Sequence, residues 1–188
     1  EIGVRLVGSE MCIRDSYSGM GFNRSVNTDP DGSYYAMRSV NSTKYLIIQS
    51  YKLEYSDTVT LLENLKNFEK IDEQDGFTIF KNKAYIPIGY SNSYYISDDE
   101  YEKIAKSNRD NMLARAVVLT DEQIEKYGDI LPELEPDRYS DFNYYTFEKD
   151  AQELAKTAVD TFTPTANGFK ATSSFTEDRF VTFTVPWE

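Results

Sequence analysis

The spacing of apolar residues changes from a helical period to a strand period late in the chain, and this change limits the fold more than any other feature. Residues 148–159 place apolar side chains three and four positions apart, which predicts an amphipathic helix. Apolar residues then alternate through 169–175 and 181–185, which predicts an antiparallel hairpin with one buried face. A chain that carries both periods in succession is typical of the α+β class.

Local signals upstream predict further strands and helices. Residues 44–50 form a short run rich in β-formers, and Asp75-Gly76 lies between two such runs, which predicts a hairpin with a two-residue turn. Residues 86–90 predict an edge strand, because the proline within them cannot donate to a ladder. Apolar spacing predicts helices over 33–40 and 59–68.

Capping patterns and prolines organise the middle of the chain. Ser97 and Glu100 fit a capping box, a second helix is predicted over 108–118, and a third runs from the box at Thr120 to about residue 128. Prolines at positions 132 and 136 mark an internal boundary. We therefore expect a small mixed α+β domain over 17–136. Over 137–188 we expect a helix and the first strands of a truncated antiparallel β-sandwich.

The first sixteen residues differ from the rest and hold Cys12, the single cysteine of the chain. Back-translation of VGSEMCIRDS, at 7–16, resembles a transposase-type sequencing-library adapter. The segment has neither the basic start nor the apolar run of a signal peptide. We therefore expect 1–16 to be a non-native tail and the chain to be a fragment of a longer protein.

Composition excludes several kinds of chemistry. With no histidine, and with its one cysteine in the tail, the chain lacks the residues for a disulfide framework, a zinc–thiolate site or a Ser–His pair. The net charge of −12 repels nucleic-acid phosphates and disfavours adsorption to an anionic membrane. We expect no metal site, no cofactor and no nucleic-acid partner, and no residue is singled out as catalytic.

Aromatic residues are frequent for so polar a chain, with 15 Tyr and 11 Phe. A β-rich core accounts for them, and so does a carbohydrate-binding surface, since aromatic rings stack on sugar C–H faces and phenols bond sugar oxygens. The candidate contacts to a sugar or a partner are Tyr90, Asn92, Tyr94, Tyr95 and Trp187. Packing between helices and sheet is the competing interpretation for each of them.

Three segments resemble, in this order, the YfhO family of bacterial multi-pass membrane proteins. Within 21–47, NSTKYL stands at a Ser-Val-Lys-Tyr-Leu type motif, with Thr43 in place of Val. Residues 75–119 are similar to the family's Asn-Lys, Leu/Ile-Pro-x-Gly-Phe/Tyr and Tyr-Ile-Ser pattern. Within 167–188, FTVPWE resembles a Ser-x-Pro-Tyr-Asp motif, with Trp187 at the Tyr position. None of these motifs is a catalytic signature.

The resemblance implies an extracytoplasmic domain on the outer face of a bacterial cell membrane. Its implied partners are transmembrane helices of the same chain and a cell-envelope glycopolymer. The implied activity is transfer of a sugar from a polyprenyl-phosphate donor to lipoteichoic acid or another cell-envelope polymer. In enzymes of that architecture the acidic catalytic residue lies on a loop near the first membrane helices, so no catalytic residue is carried over to this chain.

Two other functions stay open at the level of sequence. One is a secreted carbohydrate-binding module without catalytic activity, which would share the Tyr-rich surface but follow a signal peptide. The other is a soluble glycosidase, whose two carboxylates would lie about 5–9.5 Å apart across a cleft. With 32 acidic residues and no motif among them, the sequence selects no such pair.

Overall fold

The computed structural model describes residues 35–55 and 65–184, and the predicted α+β class is confirmed. The helices are α1 Met37–Val40, α2 Ser50–Tyr55, α3 Asp98–Lys103, α4 Arg109–Met112, α5 Asp121–Tyr127 and α6 Tyr144–Ala155, with 3-10 turns at Lys106–Asn108 and Pro136–Tyr139. The strands are β1 Tyr45–Gln49, β2 Phe68–Gln74, β3 Phe77–Asn82, β4 Tyr95–Ser97, β5 Val117–Leu119, β6 Thr161–Thr165 and β7 Gly168–Thr172. None of the helices in the described ranges is long and apolar enough to cross a membrane.

The first three strands of the described chain form an antiparallel sheet in the order β1-β3-β2. Its β2–β3 hairpin turns at Asp75 (φ 50°) and Gly76 (φ 79°), as the dipeptide predicted. One side of the sheet, here called the inner face, buries Phe68, Thr78 and Phe80. Strand β1 confirms the strand predicted over 44–50 and pairs Ile47 with Ile79.

The middle of the chain confirms one predicted capping box in full and another in part, and it corrects one helix. At the start of α3 the Ser97 hydroxyl accepts from the Glu100 amide, which is one half of the predicted box, while the Glu100 carboxylate accepts from Lys103. A capping box at Thr120 starts α5, whose C-cap is Gly128. The helix predicted over 108–118 is wrong, because α4 is one turn long and β5 follows it. Strand β5 pairs in parallel with β4, which supplies the backbone partners that a run of β-branched residues favours.

Strand pairing near the C-terminal end also differs from the prediction. Helix α6 begins four residues before the helix predicted over 148–159, because Asn143 caps it. The hairpin predicted between 169–175 and 181–185 is wrong, since β7 pairs with β6. Over 181–184 the chain forms a single bridge, between Thr182 and Tyr90. The larger sandwich remains a prediction.

Three remaining expectations concern short segments. Residues 86–90 form an irregular connection that reaches a bridge at Tyr90, and not the predicted edge strand. Of the helix predicted over 33–40, residues 37–40 form α1 and residues 35 and 36 form a turn, while residues 33 and 34 lie outside the described residues. The helix predicted over 59–68 lies mostly outside them too, and residue 68 opens β2.

Two hydrophobic clusters hold these elements together. The first cluster consists of Ala36, Met37, Val40, Ala84, Ile86, Tyr90, Ala114, Phe147, Ala151 and Leu154. The second cluster consists of Ile96, Tyr101, Met112, Ala116 and Leu134. Leu113 packs against both. Because the first cluster joins α1 with α6, residues on both sides of the boundary predicted at 136 share one core.

Candidate functional site

A groove opens between α3 and the loop that follows the second 3-10 turn. Its volume is about 450 Å³. It is lined by Glu100, Lys103, Ile104, Ala105, Asn108, Tyr139, Ser140, Asp141 and Phe142. The lining therefore combines two aromatic rings with carboxylate, amide, hydroxyl and ammonium groups, the mixture that fixes a polar ligand with apolar faces.

The α3 wall of the groove is held at both helix ends. Ser97 caps the start, where acidic residues also oppose the positive end of the helix dipole. Beyond the other end, Arg109 donates from Nη2 to the Glu102 carbonyl at 2.6 Å and from Nε to the Ile104 carbonyl at 3.2 Å. The Arg109 guanidinium also lies 5.4 Å from the centre of the buried Tyr101 ring. The helix is thereby fixed against the second cluster.

The loop wall is held by Arg115, whose side chain is only 7% exposed. Its Nε donates to the Asp150 carboxylate of α6 at 2.6 Å. Its terminal nitrogens donate to the main-chain carbonyls of Arg138 (2.9 Å), Ser140 (2.7 Å) and Asp141 (3.3 Å). Its guanidinium lies 4.8 Å from the centre of the Phe142 ring. One buried cation therefore positions the whole loop, a task suited to the planar fork of arginine.

Asp141 adopts a backbone conformation that few non-glycine residues take, with φ of 58°. Its carbonyl oxygen accepts from the Thr146 hydroxyl at 2.7 Å as well as from Arg115. Its carboxylate accepts from the Asn143 amide at 2.8 Å. Such conformations persist where surrounding contacts impose them and cluster at ligand sites, so this outlier in the groove wall marks the loop as a candidate site.

The groove has both charged and neutral hydrogen-bonding groups. Lys103 donates to the Glu100 carboxylate at 2.5 Å, and that contact raises the pKa of Lys103. Burial raises the pKa of the Tyr139 phenol, and the carboxylates of Glu133 and Glu100 raise it further. The Tyr139 hydroxyl therefore stays protonated at neutral pH and can both donate and accept.

Two of the residues predicted to contact a sugar are buried. The Tyr90 hydroxyl donates to the Val40 carbonyl at 3.3 Å, and burial raises its pKa. The Asn92 amide donates to the Leu113 carbonyl at 3.3 Å, and the residue is 3% exposed. Both side chains pack inside the protein, so in this conformation neither reaches a ligand on the surface.

The other three predicted residues differ in position. Tyr94 and Tyr95 are half-buried next to the groove, on the side of Tyr139. The Arg138 guanidinium lies 5.0 Å from the centre of the Tyr94 ring. Trp187 lies outside the described residues. The structure therefore brings Tyr94 and Tyr95 beside the groove without placing them in its lining.

The lining residues were not among the sequence candidates, although the loop carried a signal. Tyr139 and Phe142 lie in a run of Asp, Ser and Asn after Pro136, with no helical or strand period to bury them. Aromatic residues in such a polar loop are exposed unless another element covers them. The loop could therefore be identified from the sequence as part of a site. The opposite wall, at Glu100 and Asn108, could not, because only tertiary packing brings it to the groove.

Comparison with other proteins assigns neither a family nor a function to the chain. Across 35–55 and 65–184 no group of three or more His, Cys, Asp or Glu side chains is placed to hold a metal ion. No protein-family model matches the chain, and neither a curated protein nor a solved structure matches it. The candidate function therefore rests on the groove and on the sequence motifs.

Proposed function

We propose that the groove binds a glycan segment, and that the chain is the glycan-binding extracytoplasmic part of a YfhO-like membrane glycosyltransferase. The observation that carries the proposal is the pairing of two aromatic rings with carboxylate, amide and hydroxyl groups in one rigidly held groove. Sugar C–H faces pack on aromatic rings, and sugar hydroxyls bond to the polar groups between them.

Electrostatics favour the neutral sugars of an envelope polymer over its phosphates. Glu100 and Asp141 bring two carboxylates to the groove, while Lys103 brings one ammonium group, which is already paired with Glu100. A phosphate would be repelled by the unpaired negative charge, whereas a sugar hydroxyl can donate to it. The proposed ligand is therefore the glycosyl portion of lipoteichoic acid or of another cell-envelope polymer.

In this proposal the groove holds the acceptor while the reaction takes place elsewhere in the parent protein. Binding energy gained far from the reacting groups can hold an acceptor in position for transfer from a polyprenyl-phosphate sugar. The proposed location is the outer face of a bacterial cell membrane, with transmembrane helices of the same polypeptide as partners. This division assigns binding, and no catalytic step, to the described residues.

A titration of the isotope-labelled chain tests glycan binding. Neutral oligosaccharides of envelope sugars should shift the amide signals of 100–108 and 139–142, and oligomers of glycerol phosphate should not. Tyr139→Leu should weaken binding about fivefold or more, because it removes a stacking ring. Tyr145→Leu is the matched control, since Tyr145 is 79% exposed outside the groove.

Two results would contradict glycan binding in the groove. One is the absence of any shift with every oligosaccharide, and the other is equal affinity in the Tyr139→Leu variant and the unchanged chain. The membrane part of the proposal has a separate test in the coding sequence that flanks this chain. Several apolar segments of about 20 residues support the glycosyltransferase, whereas a signal peptide with no such segment leaves the secreted carbohydrate-binding module.

A further inference from the structure

Strand β1 lies at one edge of the three-stranded sheet, and within the described residues no strand lies on its other side. Lys44 and Ser50, which flank β1, bond to the β3 side through the Lys44 carbonyl at 2.9 Å and the Ser50 N–H at 2.7 Å. Backbone groups alternate along an antiparallel strand, so the odd-numbered residues of β1 turn their N–H groups to the open edge. Tyr45 (48% exposed) and Ile47 (62% exposed) are two of these residues.

The opposite edge of the same sheet has features that prevent a further strand from pairing. Strand β2 has a bulge between Lys70 and Asp72, and an exposed ion pair joins Lys70 to Glu73 at 2.5 Å. Bulges and charged side chains are the means by which natural sheets keep their edges unpaired. Strand β1, with the sequence YLIIQ, has no charged residue, proline or glycine, and its register with β3 is regular. Of the two edges, β1 is therefore the one that can accept another strand.

We propose that β1 pairs in antiparallel orientation with β1 of a second copy of this chain, with Ile47 facing Ile47 of the copy on a two-fold axis. The Ile47 N–H of each copy then donates to the Ile47 carbonyl of the other, because both groups point to the open edge. The Gln49 N–H of each copy donates in the same way to the Tyr45 carbonyl of the other. The two sheets thereby join into one continuous sheet across the axis.

The side chains of β1 select a second copy as the partner. In the proposed register Leu46 of one copy faces Ile48 of the other, and the uncharged Tyr45 faces Gln49. Aliphatic residues that face each other across two strands stabilise an antiparallel pair. A foreign strand would have to match this pattern residue by residue, whereas a copy of the chain matches it by symmetry.

Electrostatic repulsion does not oppose this pairing, although the net charge of the chain is −12. Lys44 would lie opposite Ser50 of the copy, so the two Lys44 residues would be about 20 Å apart, well beyond the screening length of about 8 Å. Residues 35–55 and 65–84 hold seven basic and five acidic side chains, whereas residues 85–184 hold ten basic and nineteen acidic ones. Strand β1 therefore lies in the part of the chain where charges nearly balance. The proposal is independent of glycan binding, because β1 contributes no residue to the groove.

Sedimentation equilibrium of the full chain tests the pairing, in a reducing buffer so that Cys12 forms no disulfide. The paired strands are short compared with a standard interface of about 20–30 residues a side, so we expect a dissociation constant of roughly 100 µM. Ile47→Lys should weaken dimerisation about tenfold or more, because two lysines would face each other on the axis. The matched control is Ile71→Lys, on β2 and 48% exposed, which should dimerise as the unchanged chain does.

A mixture of oppositely charged variants tests the register. Ile47→Lys and Ile47→Glu should each stay monomeric where the unchanged chain dimerises, and equal amounts of the two should form a mixed dimer, since opposite charges then face each other. A mixed dimer would also show that both variants are folded. An unchanged chain that stays monomeric at about ten times the expected dissociation constant, or a mixture that does not dimerise, overturns the proposal. So does a dimer that is lost in Phe77→Lys, on the exposed face of β3, and kept in Ile47→Lys.

Discussion

Gly89 lies where the C-terminal segment meets the connection before Tyr90. Its φ is 81°, and a Cβ placed there would lie 2.7 Å from a methyl carbon of Val159 and 2.8 Å from a ring carbon of Phe183. Gly76 has a similar φ of 79°, but nothing lies within 4 Å of the corresponding point. The two glycines therefore separate the cost of backbone conformation from the cost of a steric clash.

Gly89→Ala should destabilise the protein by about 3 kcal/mol, of which roughly 1–2 kcal/mol is the left-handed backbone and the rest is overpacking. Gly76→Ala should cost only the backbone part. Urea unfolding of both variants measures the difference. Equal losses in the two variants would show that Val159 and Phe183 move aside without cost.

Asp110 is a fully buried carboxylate that caps α1 from a distant part of the chain. One oxygen accepts from the Met37 amide at 3.0 Å, and the other accepts from the backbone and side-chain nitrogens of Asn111, each at 2.9 Å. These bonds favour the ionised form, but burial outweighs them and raises the pKa of Asp110 from 3.8 to about 6. The folded protein thus keeps a proton that the unfolded chain releases.

Asp110 should make the protein less stable as pH rises from about 4 to about 6. The folded state binds more protons than the unfolded state in that window, so the free energy of unfolding falls, by about 3 kcal/mol in total, and then levels off. Urea unfolding at successive pH values measures the slope. The difference between the unchanged chain and Asp110→Asn isolates this group from the other carboxylates, and a difference that does not vary with pH would contradict the assignment.

Among the secondary-structure elements, α5 and α6 both begin with a capping box, but only one lies next to the groove. Thr120 and Gln123 cap α5, and Asn143 and Thr146 cap α6. The Asn143 side chain also donates to the Asp141 carboxylate in the groove wall. One cap therefore stabilises its helix alone, while the other also holds a residue of the candidate site.

Thr120→Ala and Asn143→Ala should each reduce the free energy of unfolding by about 1 kcal/mol. Only Asn143→Ala should weaken oligosaccharide binding, because it frees the Asp141 carboxylate and loosens the loop. Thermal unfolding and ligand titration on the same samples separate the two effects. Equal affinity in both variants would mean that Arg115 holds the loop without help from the cap.

The sequence predicts elements well where residues within four positions determine them. Asp75-Gly76, Ser97 and Thr120 each act through their nearest neighbours, and their turn or cap is present. Strand pairing depends on distant partners, so β5 was predicted as helix. Strand β6 contains Pro164, and a two-stranded sheet consists only of edges, which tolerate proline.

The candidate site is less predictable for the same reason. Tyr90 and Asn92 share a tyrosine-rich stretch with Tyr94 and Tyr95, and nothing local distinguishes the buried pair from the half-buried pair. Burial is decided by α1 and by the segment around Leu113, which supply hydrogen-bond acceptors to Tyr90 and Asn92. Such partners become visible only once the chain is folded.

At the scale of the whole molecule, Leu113 connects the two hydrophobic clusters. Leu113→Ala should cost about 2 kcal/mol, since the residue is half-buried and its removal leaves space in both clusters. Native-state hydrogen exchange at the amides of Phe147 and Leu134, one in each cluster, should show the same decrease in the free energy of opening. Loss at one site alone would show that the clusters unfold independently.

The bridge between Tyr90 and Thr182 sets an order for folding. Its two backbone hydrogen bonds, 3.2 Å and 2.7 Å, join residues separated by roughly half of the chain. Closing so long a loop has a high entropic cost, whereas β2–β3 and β6–β7 close through turns of two residues. The two hairpins therefore form early, and the C-terminal segment docks against Gly89 last. During synthesis Tyr90 can therefore bridge to Ala158 before Thr182 has emerged, and its second bridge, to Thr182, forms only afterwards.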